Sequence, residues 1–145
     1  MTDPLPLARP EIDDADRAAV AAVLAGGKLS LGERLVDFEQ QMARTCGVAG
    51  AVGVSSGTAG LILALEALGV GPGNEVITPS FTFVATANAV RLVGALPVFA
   101  DIDPDTLDLD PAAAAAAVTP RTRALLAVDV FGRPAPMDEL AELAG

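Results

Sequence analysis

Val52-Gly-Val-Ser-Ser-Gly-Thr-Ala-Gly-Leu-Ile-Leu-Ala-Leu65 reads as a buried strand that runs into the start of a buried helix. Val52 and Val54 are β-branched, Leu61 to Leu65 is apolar on all sides, and between them stands the small, polar, flexible group Ser55-Ser56-Gly57-Thr58. A turn of this composition suits an anion. The first N–H groups of a helix have no intrahelical partner and lie at the positive end of its dipole, and Gly57 has no Cβ to hold a phosphate off the backbone. Thr58 adds a hydroxyl. The same residues also allow a plainer role, in which Ser56 or Thr58 does no more than cap the helix.

Outward from this turn, helices and strands alternate. Asp13 or Asp14 caps a first helix in which Val20, Val23 and Leu24 share a face, and Gly26-Gly27 ends it. Lys28 to Gly32 is a loop. Glu33 to Thr45 forms a second helix with Leu35, Phe38 and Met42 on one stripe and Gly47 at its stop. Both helices are amphipathic and belong on a surface. The strand Ala51–Val54 enters the turn, and the helix that follows runs to Leu68 before Gly69-Val-Gly-Pro-Gly73 breaks it. Next come a strand Glu75–Thr78, a helix Thr82–Val93, a strand Leu96–Ala100, and a helix of Ala112 to Ala117 opened by Asp110 and Pro111. A last strand, Ala124–Val130, leads through Gly132-Arg-Pro-Ala-Pro136 to a helix starting at Met137 or Asp138. Strands separated by helices at this spacing imply βαβ crossovers, hence an α/β fold: a three-layer, mostly parallel sheet with helices on both faces.

Composition bounds the function. The 145 residues suffice for one core but are short for a two-domain enzyme, and 52% hydrophobic residues imply broad buried faces. No apolar run reaches the roughly 18 residues of a membrane span, and Met1-Thr-Asp-Pro-Leu-Pro6 lacks the features of a signal peptide, so the expected location is cytoplasmic. A net charge of −10 argues against nucleic acid. With no His, and with Cys46 read as a buried helix cysteine, Ser-His-Asp, Cys-His and histidine-based zinc chemistry are excluded. Asp101, Asp103, Asp105, Asp108 and Asp110 lack the glycine and terminal Glu of a calcium loop and read as solvated. No metal site is expected. Neither G-x-G-x-x-G nor G-x-x-x-x-G-K-[ST] occurs, which weakens a plain nucleotide-binding domain.

Ligands of such sheets bind beyond the carboxyl ends of the strands, here Ser55–Thr58, Pro79–Phe83 and Asp129–Gly132. Phe81 or Phe83 can stack on a flat ring whose phosphate sits at the first turn, though either one taken alone reads more readily as ordinary core. The pattern fits pyridoxal phosphate and a nucleotide alike.

The order Phe38-Glu39, Val54-Ser-Ser-Gly-Thr-Ala59, Leu65-Glu-Ala-Leu-Gly-Val-Gly-Pro-Gly-Asn-Glu-Val-Ile-Thr-Pro-Ser-Phe-Thr-Phe-Val-Ala-Thr86 and Gly94-Ala-Leu-Pro-Val-Phe-Ala-Asp-Ile-Asp103 resembles the DegT/DnrJ/StrS sugar aminotransferases. The resemblance runs from about Leu7 to the end. It implies an aspartate-aminotransferase-type fold (PLP fold type I), usually a homodimer, in which pyridoxal 5'-phosphate carries an amino group from glutamate or glutamine to a keto-sugar, commonly nucleotide-linked. By position, the backbone of Gly57, Thr58 and Ala59 and the Thr58 hydroxyl hold the cofactor phosphate, and Phe83 lies against the pyridine ring.

This sequence departs from the family at three points. Gly60 stands for a common alanine, and Asp129 stands where many members have a histidine near the cofactor pocket. The third is larger: the Schiff-base lysine and the aspartate that pairs with the pyridine nitrogen normally lie past Gly145, and Lys28 cannot replace that lysine. Residues 1–145 are therefore expected to be the N-terminal portion of the PLP-binding large domain. No catalytic residue is assigned within them. The alternative is an inactive truncated fragment or scaffold of the same fold.

Overall fold

The computed structural model describes Pro6 and residues 8–145, which fall into two compact units, Met1–Gly53 and Val54–Gly145. Leu7, where the family resemblance begins, and the N-terminal Met1-Thr-Asp-Pro-Leu5 lie outside the described residues.

Unit one is helical. Helix α1 (Asp14–Gly26) opens on a reciprocal cap: the Asp16 N–H donates to Asp13 Oδ1 at 2.9 Å and the Asp13 N–H to Asp16 Oδ2 at 3.0 Å. Gly27, left-handed at φ 71°, closes it. Helix α2 (Glu33–Cys46) ends one residue beyond the expected Thr45, at a left-handed Gly47. Neither helix contains a fully buried residue, and of their apolar stripes Val20, Leu24, Phe38 and Met42 are exposed while Val23 and Leu35 are half-buried. Cys46, which was expected to be buried, is exposed on the last turn of α2. Residues 51–54 correct a second expectation. They form no strand ladder, and the Gly53 N–H donates at 2.7 Å to Glu39 Oε1.

Unit two holds the sheet. Strand β1 (Glu75–Pro79), whose Val-Ile-Thr run suits a strand covered on both faces, is buried along its whole length. It lies between two parallel neighbours, β2 (Leu96–Ala100) and β3 (Thr122–Leu125). Helices α3 (Gly57–Ala67) and α4 (Ala85–Leu92), with α5 (Pro111–Ala116) and α6 (Met137–Ala144), supply the outer layers. Successive strand side chains point to opposite faces, and the core divides accordingly. Val76 packs with Leu65, Ala89 and Val90 of α3 and α4, whereas Ile77 packs with Ala114 of α5, Leu140 of α6 and Leu109. The three-layer, mostly parallel architecture expected from the alternation is what unit two shows. No helix among the described residues is long and apolar enough to cross a membrane.

Two further boundaries and one loop differ from the sequence reading, each for a physical reason. Helix α4 starts at Ala85 rather than Thr82, because the Thr82 N–H turns back to the Ser80 carbonyl at 3.1 Å and its hydroxyl pairs with Thr86 Oγ1 at 2.8 Å. Strand β3 spans Thr122–Leu125 instead of Ala124–Val130. One more rung follows, Leu126 N–H to the Ile77 carbonyl at 2.8 Å, and then the Thr78 hydroxyl captures the Leu126 carbonyl at 3.0 Å and the ladder stops. The acidic stretch after β2 is a folded turn rather than a solvated loop. Asp103 Oδ1 accepts from the N–H groups of Asp105 and Thr106, Ile102 bridges to Leu109, and Asp108 is buried.

Candidate functional site

Helix α3 begins with Ser56 as its cap. Ser56 has an extended backbone, and its Oγ accepts from the Ala59 N–H at 3.1 Å. The plainer reading of the turn is therefore met by Ser56. It does not use up the turn. The N–H groups of Gly57 and Thr58, the first two helical positions, have no acceptor among the described residues.

The surroundings favour an anion there. No acidic residue occupies the first turn of α3, so its dipole is uncompensated, and a Cβ built on Gly57 would meet nothing within 4 Å, which leaves the backbone open to a ligand. Thr58 is half-buried and Ala59 has its N–H engaged by Ser56. The free donors are thus the N–H groups of Gly57 and Thr58, the kind of pair that suits an anion such as a phosphate, while that of Ala59 is held by the Ser56 hydroxyl. At Gly60 the common alanine would fit: a Cβ there would lie 3.5 Å from Val54 Cγ2, an ordinary contact.

Beyond β1, Phe81 and Phe83 are both partly or largely open, at 41% and 77% exposure, so neither is core. They play different parts. Phe81 meets Phe131 edge to face, with centroids 6.1 Å apart, which ties the end of β1 to the segment after β3. Phe83 has no aromatic neighbour among the described residues and offers its ring free. No hydrogen bond joins Phe83 to the Ser56–Ala59 turn; both stand in unit two as separate candidate contacts.

The segment after β3 holds what the sequence did not reveal. Asp129 Oδ1 accepts from the Ala135 N–H at 2.9 Å, closing a loop around a 3-10 turn at Val130–Gly132. Phe131 in that turn is left-handed at φ 53° and 86% exposed. Arg133 reaches the buried Asp108, Nε to Oδ2 at 3.5 Å. The sequence marked Asp129–Gly132 as a strand end and Asp129 as a departure from the family, but neither the loop closure nor the reach of Arg133 to Asp108. Among the described residues no cluster of three or more acidic or cysteine side chains could hold a metal ion.

Against known proteins, the sequence profile of the DegT/DnrJ/EryC1/StrS aminotransferase family matches residues 10–145. DesV of S. venezuelae, solved in complex with a ketimine intermediate, is 50% identical over 88% of this chain, with a TM-score of 0.86. The synthase of 3-amino-5-hydroxybenzoic acid is 42% identical over 99%, with a TM-score of 0.91. Spr1654 of Streptococcus pneumoniae, solved in a PLP-form, is 32% identical over 96%, with a TM-score of 0.92. The chain spans 34%, 38% and 36% of those three chains, respectively.

Proposed function

The chain belongs to the DegT/DnrJ/EryC1/StrS aminotransferase family, and we propose that it forms the N-terminal portion of the pyridoxal-phosphate-binding domain of an enzyme that moves an amino group from glutamate or glutamine to a keto-sugar, commonly nucleotide-linked. The observation that carries the reading is the opening of α3, with the Gly57 and Thr58 N–H groups free, the Thr58 hydroxyl beside them and no acid in the first turn. When bound, the cofactor supplies the electron sink that amino transfer requires. Gly57, Thr58 and Ala59 bind its phosphate and so fix its position along the sheet. The exposed Phe83 ring would lie against the pyridine. The complete enzyme is a cytoplasmic homodimer.

A second reading, an inactive fragment or scaffold of the same fold, draws on the lysine content. The one lysine, Lys28, lies in the loop between α1 and α2 rather than at a strand end of the sheet. One comparison separates the two. The chain alone, and the chain extended by the C-terminal two thirds of DesV, are assayed with pyridoxal phosphate, glutamate or glutamine, and a set of nucleotide-linked keto-sugars. Transfer by the extended polypeptide and none by the 145 residues alone is expected. An extended polypeptide that binds the cofactor but aminates no keto-sugar would overturn the substrate class.

A further inference from the structure

Asp108 is the most deeply buried carboxylate of unit two that no strand explains, its side chain 3% exposed. Its Oδ1 has no hydrogen-bond partner among the described residues, and the cation beside it is Arg133, 3.5 Å from Oδ2. A carboxylate withdrawn from water is unfavourable unless paired. The chain keeps it nonetheless, and what Arg133 holds explains where that interaction acts. Arg133 directly follows the 3-10 turn Val130–Gly132, in which Phe131 and Gly132 are both left-handed, at φ 53° and 80°. A phenylalanine in that conformation persists only when its surroundings enforce it. Three contacts do so: the Asp129 carboxylate clasps the Ala135 N–H, buried Ala135 packs in one cluster with Leu109, the residue next to Asp108, and Phe131 leans on Phe81.

We propose that Asp108 is a positioning residue: through Arg133 it locks the Asp129–Ala135 loop so that the Asp129 carboxylate and the Phe131 ring form a rigid rim at the carboxyl end of β3. This rests on the reading of that end of the sheet as the ligand side. The rim would present an aromatic face to the C–H surface of a sugar ring. Its rigidity, unlike its use, can be measured without any ligand.

The sequence has no tryptophan, so Phe131→Trp installs a single fluorescent reporter on the rim. In that background Asp108→Asn and Arg133→Leu should each raise the share of anisotropy lost on the sub-nanosecond timescale about twofold, with far-UV circular dichroism unchanged. Arg133→Lys, which keeps the charge, should restore most of the rigidity. Arg133 is largely exposed, so its variants report even where an Asp108 variant unfolds. Equal anisotropy decay in the parent and Arg133→Leu, or identical loosening by Leu and Lys, would overturn the proposal. Neither result depends on amino transfer, so the proposed function stands or falls separately.

Discussion

Arg121 places both Nε and Nη2 on a single oxygen of Glu75, at 2.9 and 2.5 Å, and leaves the other oxygen to the Thr119 hydroxyl. The Glu75 N–H also donates to the Arg121 carbonyl at 2.9 Å, so the first residue of β1 is tied to the entry of β3 by backbone and side chain together. Register follows from this. The pairing shifts between Glu75 and Val76, where Thr122 and then Ala124 are the partners, and the ion pair pins the irregular rung.

The pair should show in the acid limb of stability. The Thr119 hydrogen bond, and after it Arg121, hold the Glu75 carboxyl below its ordinary value despite the opposing effect of burial. A depressed folded value means that the contribution is complete above the ordinary glutamate value and disappears as pH falls through the folded one. Urea denaturation across the acid range should therefore give Glu75→Gln a lower stability near neutrality and a flatter fall below it. Parallel curves for parent and variant would show that Glu75 titrates alike in both states.

At the start of α3, the cap and the proposed phosphate contacts make opposite demands on Ser56 and Thr58. Ser56→Ala removes the acceptor of the Ala59 N–H and should cost the chain about 1 kcal/mol. In the polypeptide extended by the DesV remainder, Thr58→Val should weaken pyridoxal phosphate by ~1.5–3 kcal/mol, the range for a hydrogen bond to a charged group. Ser56→Ala should weaken it far less, because it frees the Ala59 N–H. Cofactor titration that ranks the two variants the other way would assign the phosphate to Ser56.

Phe81 and Phe83 are two residues apart and should fail differently. Phe81→Ala breaks the edge-to-face contact with Phe131 and should lower the stability of the chain, the pair being worth ~0.5–1.5 kcal/mol. Phe83→Ala, at a 77% exposed position, should leave stability near that of the parent while loosening the cofactor and shifting its absorption in the extended polypeptide. Stability loss for Phe83→Ala with an unaltered cofactor spectrum would transfer the stacking role to Phe81.

What the sequence revealed and what it hid divide along the range of the interactions. The Val-Ile-Thr centre of β1, the Asp13 and Asp110 caps and the stops at Gly27 and Gly47 are written in adjacent residues, and they are found where they were expected. The end of β3 was misplaced because the group that terminates it, the Thr78 hydroxyl, is 48 residues from Leu126. Asp108 looked like one more solvated acid, since nothing near it in sequence announces Arg133 or the bridge from Ile102 to Leu109. The Ser-Gly-Thr turn was legible as a helix start with open N–H donors, because those donors are supplied locally. The edge contact of Phe131 with Phe81 depends on two loops meeting and left no mark in either.

The sheet of unit two ends on β2 and β3, each paired on one side, and an open strand edge is a template for another chain. The two edges are not equally guarded. In β2, Pro97 offers no N–H, but Leu96 and Phe99 are 49% and 54% exposed on the same strand. In β3, the exposed Arg123 carries a charge, which discourages edge pairing. The helices of unit one add exposed Val20, Leu24 and Phe38. Purified at micromolar concentration, the chain should therefore associate, and sedimentation velocity should show it. Phe99→Lys places a charge on the less guarded edge at a position that is itself 54% exposed, and should shift the distribution toward the monomer more than Leu24→Lys on α1 does. If Leu24→Lys dissolves the assemblies and Phe99→Lys leaves them intact, association runs through the helical faces and the β2 edge is protected by Pro97 alone.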